Sequence, residues 1–186
     1  MSVRLFVALD LPPEARAALA RFRDAAADPA VWRPVGDDAL HITLAFLGHR
    51  PEEEVAVVEE LLAGLPGAAP PLALAGALLL PPRRARVLCA EVADLDGLLG
   101  ALQAAASAAL AGAGVYEPER RPFRAHATVA RLRAGARAPR TVGVAPEPLA
   151  FAGAAVTLYR STLARSGARY EPLARRLLEP AEPAGG

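Results

Sequence analysis

The sequence predicts an α+β fold of two lobes, and three observations carry that prediction. Short apolar runs with strand periodicity alternate with helix-periodic segments. Each half of the 186-residue chain runs strand, helix, strand. The second of those strands holds a His-x-Thr triplet in both halves, His41-Ile42-Thr43 and His126-Ala127-Thr128, 85 positions apart. A chain of this length buries roughly two-thirds of the surface that its unfolded form exposes, so it needs neither disulfide nor metal to fold.

The elements follow in order. Val3, Leu5, Val7 and Leu9 alternate with Arg4, Phe6 and Ala8, the period of a strand. Pro12 and Pro13 open a helix with Leu19, Phe22 and Ala26 inside, ended by Asp28-Pro29. Leu40–Leu47 reads as a strand stopped by Gly48. A second helix starts at Pro51, where Glu52, Glu53 and Glu54 suit the positive end of its dipole, and buries Val55, Val58, Leu61 and Leu62. Leu72–Leu80 and Arg86–Val92 read as strands joined by Pro81-Pro82-Arg83-Arg84. Asp94 is the candidate N-cap of a long helix through about Ala111, with Leu98, Leu102, Ala106 and Leu110 near helical spacing. After the polar loop 117–122, Ala125–Leu132 is the second motif strand. Leu149–Arg160 and Ala168–Leu178 complete the strands, Pro172 marking the last as an edge or an irregularity. Residues 1–180 are expected to form a single bilobal domain, and 181–186 a disordered tail.

Composition narrows the class. Hydrophobic residues make up 53%, nearly half of them alanine, and all 21 cations are arginine. With 20 acids the formal charge is +1, which excludes a polycation that coats nucleic acid and an acidic disordered chain. The charge is uneven: residues 1–93 carry a net −3 and residues 94–186 a net +4, so the second half suits an anionic ligand. The lone Cys89 reads as a small buried thiol, and three histidines leave no structural zinc cluster, so no metal or cofactor is expected. The start lacks a signal-peptide pattern; 61–82 is broken by five prolines and 97–116 is too weakly apolar to span a membrane. A soluble cytoplasmic monomer is the expectation.

The paired triplets carry the chemistry. On a strand, residues i and i+2 share a face, so each histidine projects beside its threonine while Ile42 and Ala127 point into packing. If the two strands lie side by side, two imidazoles and two hydroxyls meet in one cleft. Of two imidazoles, one can accept a proton while the other donates one. The Thr43 and Thr128 hydroxyls can hold the nonbridging oxygens of a phosphate between them. His49, after Gly48, reads as an exposed loop histidine.

The chain resembles the two-histidine (2H) phosphoesterase superfamily, and within it the RNA 2′,3′-cyclic phosphodiesterases, historically named 2′-5′ RNA ligases. The likeness runs from Arg4-Leu5-Phe6-Val7-Ala8-Leu9 and Trp32, through Leu40–Gly48 and Pro122–Arg131, to Leu158-Tyr159-Arg160-Ser161 and Gly167–Leu173. The resemblance implies mainly antiparallel sheets in two pseudo-symmetric lobes around a central cleft. It also implies metal-independent hydrolysis of a 2′,3′-cyclic phosphate at an RNA end, tRNA fragments included, to a 2′-phosphate. His41 would protonate the leaving 3′ oxygen, His126 would activate water, and Thr43 and Thr128 would bind phosphate oxygens; the residues themselves do not distinguish acid from base. Joining of RNA ends through a 2′-5′ bond would be a side activity, because no Gly-x-x-x-x-Gly-Lys loop is present to drive it.

Secondary candidates for RNA or phosphate contact are Arg131, Arg124 and Phe46. Arg124, two before His126, shares its face. Arg131 lies five after His126 and Phe46 five after His41, offsets that put both on the opposite face unless a bulge intervenes. Trp32 and Tyr159 read as structural, and Arg83-Arg84 and Arg120-Arg121 as solvated loop charges. Two other functions would use the same cleft. A noncatalytic module for RNA ends or nucleotides does not need a matched acid and base. A phosphodiesterase for a small cyclic nucleotide would gain nothing from the basic half when its substrate is lengthened.

Overall fold

The computed structural model describes residues 1–164 and 167–180. The first strand, β1 (Ser2–Asp10), leads into α1 (Pro13–Ala26), which opens at a proline whose missing N–H the first turn does not need. It buries Ala15, Ala18, Leu19 and Phe22. The short β2 (Trp32–Pro34) and a 3-10 turn (Asp37–Ala39) precede β3 (His41–Pro51). Then come α2 (Glu54–Ala63), β4 (Ala68–Ala69), β5 (Pro71–Leu80), β6 (Val87–Asp94) and α3 (Leu98–Gly112). The chain continues with β7 (His126–Leu132), β8 (Ala150–Ala152), β9 (Ala155–Ala164), β10 (Gly167–Leu177) and β11 (Glu179–Pro180).

Among the described residues nine strands form one antiparallel sheet in the order β10-β9-β1-β3-β7-β6-β5-β8, with β2 added beside β7; β4 and β11 pair separately. The sheet divides at its middle, because β3 and β7 meet through one residue pair only, Ile42 with Ala127. Along that path four strands lie on each side of the seam, with β2 a fifth paired to β7, and the motif strands are the two inner ones. Each half repeats strand, helix, motif strand, as β1-α1-β3 and β6-α3-β7. The helices cross over: α1 packs on β7 and α3 on β3, so each lobe's helix braces the other lobe's motif strand.

Several boundaries differ from the sequence expectation, each for a physical reason. Gly48 does not stop β3; at φ +72° it bends the strand, which continues to pair Pro51 with Ser2. With Pro51 held in that ladder, α2 starts three residues later, at Glu54. Asp94 lies four residues before α3, yet its carboxylate accepts from the backbone N–H groups of Gly97 (3.1 Å), Leu99 (3.2 Å) and Gly100 (2.8 Å), the donors a helix start leaves free. The apolar run 149–160 splits into two strands at Gly153, where a Cβ would meet the Leu9 Cδ1 at 2.9 Å. Its first piece, β8, pairs with β5, and its second, β9, with β1, so one run serves both lobes. Pro172 sits on the edge strand β10 beside a register shift, as its lack of an N–H requires. The expected tail, 181–186, lies outside the described residues.

Candidate active site

At the seam, Ile42 and Ala127 are both fully buried on the helix side of the sheet. Their neighbours His41, Thr43, His126 and Thr128 therefore occupy the other face. Because the strands run antiparallel through the Ile42–Ala127 pair, His41 lies toward Thr128 and Thr43 toward His126. The two histidines are oriented alike. The His41 Nδ1–H donates to the Ala39 carbonyl at 2.8 Å, and the His126 Nδ1–H to the Arg124 carbonyl at 2.7 Å. In each case the acceptor is two residues upstream, and the bond fixes the tautomer so that Nε2 is left for chemistry. The Nε2 of His41 is 3.1 Å from the Thr43 hydroxyl, which donates to it when the ring is neutral. The Thr128 hydroxyl lies 3.5 Å from the sulfur of Cys89, its cross-strand partner.

Both motif strands carry a bulge at the same place. In β3, Thr43 pairs with Ala8 and Ala45 with Val7, leaving Leu44 as an extra residue; in β7, Thr128 pairs with Cys89 and Ala130 with Leu88, leaving Val129 extra. The extra residue shifts the alternation by one. Leu44 and Ala45 are both buried, as are Val129 and Ala130, and the next residue in each strand returns to the cleft face. Those residues are Phe46 and Arg131, and this corrects the simple offset count that turned them away. Both border the same cavity as His41 and Thr43. The bulge carbonyls find different partners: Gln103 Nε2 of α3 donates to the Leu44 oxygen at 3.3 Å, and the Val35 N–H to the Val129 oxygen at 2.9 Å.

The two imidazoles sit in unlike surroundings. His41 lies against Phe6 (ring centroids 5.0 Å apart) and meets Tyr170 edge-on at 5.4 Å, with Tyr159 beyond at 6.3 Å. Burial lowers its pKa to about 4; the Ala39 carbonyl and Asp10 oppose that shift, while Arg131 and His126 add to it. The free protein therefore holds His41 neutral at pH 7. Asp10 accepts from Thr157 (2.8 Å) and Tyr159 (2.8 Å) and pairs with Arg175 (3.1 Å), an anchor beneath the aromatic wall. Burial pushes the Cys89 thiol up to about 11, so it is an unreactive packing group, as expected.

Two cavities meet at Thr43 and Phe46, which border both. The smaller, about 320 Å³, holds His41, Arg4, Arg33, Arg131 and Tyr170. The larger, about 740 Å³, holds His126 with Tyr116, Phe123, Arg86 and Arg121. Arg124 also borders the larger one but is tied to Glu91 through its Nε (3.1 Å) and Nη2 (2.7 Å). Arg83, Arg84 and Arg120 border neither cavity. Trp32 is buried as expected, and His49 is exposed, though on a strand rather than a loop. The sequence reading missed Arg4, Phe6, Arg33, Tyr170 and Gln103. Arg4 and Phe6 were within reach of it, since the parity of β1 puts them on one face; the others are placed by pairings between distant strands.

A family model described as LigT like Phosphoesterase matches residues 9–89, a span that holds His41 but not His126. The RNA 2′,3′-cyclic phosphodiesterase of Escherichia coli (strain K12) is 35% identical over 177 residues, covering 92% of this chain and 94% of the relative. Among solved structures, E. coli LigT complexed with 3′-AMP superposes with a TM-score of 0.82 at 31% identity, covering 96% of this chain and 99% of that one. TT0787 of Thermus thermophilus gives 0.79 at 31% identity, with 96% and 100% covered.

Proposed function

The chain belongs to the LigT-like phosphoesterases of the two-histidine superfamily, and from that premise we propose that it is an RNA 2′,3′-cyclic phosphodiesterase. The observation that carries this reading is the pair of His-x-Thr strands meeting at one seam, with each ring held in the same tautomer by the carbonyl two residues before it.

The cyclic phosphate sits between the two Nε2 atoms, its nonbridging oxygens held by the Thr43 and Thr128 hydroxyls. His126 Nε2 takes a proton from water; the water oxygen bonds to phosphorus as the bond from phosphorus to O3′ breaks. His41 Nε2–H donates its proton to O3′, leaving a 2′-phosphomonoester. Since His41 is neutral in the free protein, it takes up a proton from solvent as the substrate binds, the negative charge of the phosphate favouring the imidazolium. The same event frees Thr43. A neutral His41 accepts the Thr43 hydroxyl, whereas a protonated one has no lone pair there, and the hydroxyl turns to the phosphate. Positioned proton transfer to a strained cyclic ester needs no metal. Phe46, 44% exposed between the cavities, offers a face for a base, and Arg131 a charge for phosphate; Arg124, neutralised by Glu91, contributes mainly its carbonyl to His126.

Residues 1–180 act as one bilobal unit, a cytoplasmic monomer working on RNA ends such as those of tRNA fragments, with 2′-5′ joining as a side activity. No helix among the described residues is long and apolar enough to cross a membrane. The test is incubation, with EDTA, of the protein and its His41→Ala and His126→Ala variants with a short RNA ending in a 2′,3′-cyclic phosphate, read by phosphorus NMR. The wild type is expected to yield a 2′-phosphate and neither variant to do so. RNA binding without turnover by the folded wild type would replace this reading with a noncatalytic module.

A further inference from the structure

Three arginines converge on the smaller cavity without a counter-charge. Arg4 comes from β1, Arg33 from β2 and Arg131 from β7, and among the described residues no carboxylate lines the space. None of the three pairs with an acid among the described residues, so the charge they bring to the cavity is uncompensated. Arg33 and Arg131 are direct cross-strand partners on antiparallel strands, and both are exposed. Like charges placed directly opposite each other destabilise a sheet, so this pair works against the fold unless an anion lies across it. Arg4 closes the third side, its Cζ 4.9 Å from the centroid of the Phe46 ring. The charge also departs from the sequence expectation, since two of the three arginines come from the net-acidic half.

The reacting cyclic phosphate carries a single negative charge and has the threonines and histidines around it. Three guanidiniums beside it exceed what that group requires, and their forked donors suit a second phosphate. Because the cavity shares His41 and Thr43 with the reacting centre, that phosphate belongs to the same or the adjoining nucleotide. Resting on the function proposed above, we propose that Arg4, Arg33 and Arg131 form a second-phosphate subsite, which makes the preferred substrate a cyclic-phosphate end bearing a further phosphate on its 5′ side rather than a bare nucleoside cyclic phosphate.

The experiment compares kcat/KM on cytidine 2′,3′-cyclic phosphate, its 5′-phosphorylated form, and a dinucleotide with a cyclic end, for the wild type, Arg33→Gln and Arg4→Gln. The wild type is expected to favour a second phosphate by about tenfold or more, the scale of one charge-assisted contact. Each variant should bring that ratio toward one and reduce the salt dependence for the dinucleotide by about 0.7 in log–log slope. A gain for both phosphorylated substrates supports a subsite open to small nucleotides and RNA; a gain for the dinucleotide alone assigns it to the internucleotide phosphate. A wild-type ratio of one, or variants that slow all three substrates equally, overturns the proposal. Calorimetric binding of cytidine 2′-phosphate and cytidine 2′,5′-bisphosphate gives the same ratio without turnover. Failure to hydrolyse any substrate would thus count against the proposed activity, while equal affinities would count against the subsite.

Discussion

The two motif strands are built to one plan and set in different surroundings. Each histidine donates Nδ1–H to the carbonyl two residues back, each threonine follows by two, each bulge follows by three, and each strand returns a side chain to the cleft at the fifth position. The differences lie in what surrounds that frame. In the first lobe the histidine is enclosed by Phe6, Tyr159 and Tyr170 and the fifth position is Phe46; in the second the histidine has Glu91 as its cross-strand partner and the fifth position is Arg131. The backbone plan sets two imidazoles facing a common group, and the side chains around them make the two chemically unequal. The lowered proton affinity of His41 opposes its role as the acid in the free protein, so the bound phosphate must supply the negative charge that favours its protonated form.

The comparison breaks most completely if either histidine works alone. Acid and base acting on one phosphorus form a unit, so each single alanine variant should lose on the order of 10² to 10⁴ in kcat. The double variant should lose little beyond the worse single. Multiplicative losses in steady-state rates on a cyclic-phosphate dinucleotide would show that the lobes act independently.

A second test sharpens the inequality through stability. The native ring of His41 resists protonation until about pH 4, whereas the unfolded ring accepts a proton near 6.5. Between those values the unfolded state binds more protons, so the His41 contribution is complete above about pH 6.5 and is lost as pH falls toward 4, by up to about 3 kcal/mol. Urea unfolding of the wild type and His41→Asn across that window should show the wild type losing stability relative to the variant. Parallel curves would mean that His41 is not held neutral.

The smallest effect concerns the bulges. Gln103 bonds the Leu44 carbonyl from α3, whereas the Val129 carbonyl is held by the Val35 backbone N–H, which of all substitutions only proline removes. Gln103→Leu should cost about 1 kcal/mol in unfolding free energy and lower kcat/KM a few-fold, because the bulge aims Phe46. An unchanged kcat/KM would show that β3 holds its bulge without help from α3.

Much of the site was legible because strand periodicity is local. His41 beside Thr43, His126 beside Thr128, and Ile42 and Ala127 turned inward follow from alternation alone, and they hold in the fold. Phe46 and Arg131 were misdirected by the same rule, which assumes an unbroken period of two. The signal for the correction was present: Thr43-Leu44-Ala45-Phe46 and Thr128-Val129-Ala130-Arg131 each place two adjacent apolar residues where one would fit, the pattern a bulge leaves.

By itself the sequence determined the main strands and helices, the duplicated motif and the faces that its two triplets take, since all of these depend on neighbours a few residues away. Tertiary structure decided what depends on distant pairings. It crossed α1 and α3 beneath the opposite motif strands, divided 149–160 between the lobes, and set Arg33 against Arg131 with Arg4 facing them. It also enclosed His41 so that its proton affinity fell. Burial and charge at a point are sums over everything packed around it, and the neighbours of His41 come from strands as far along the chain as β9 and β10.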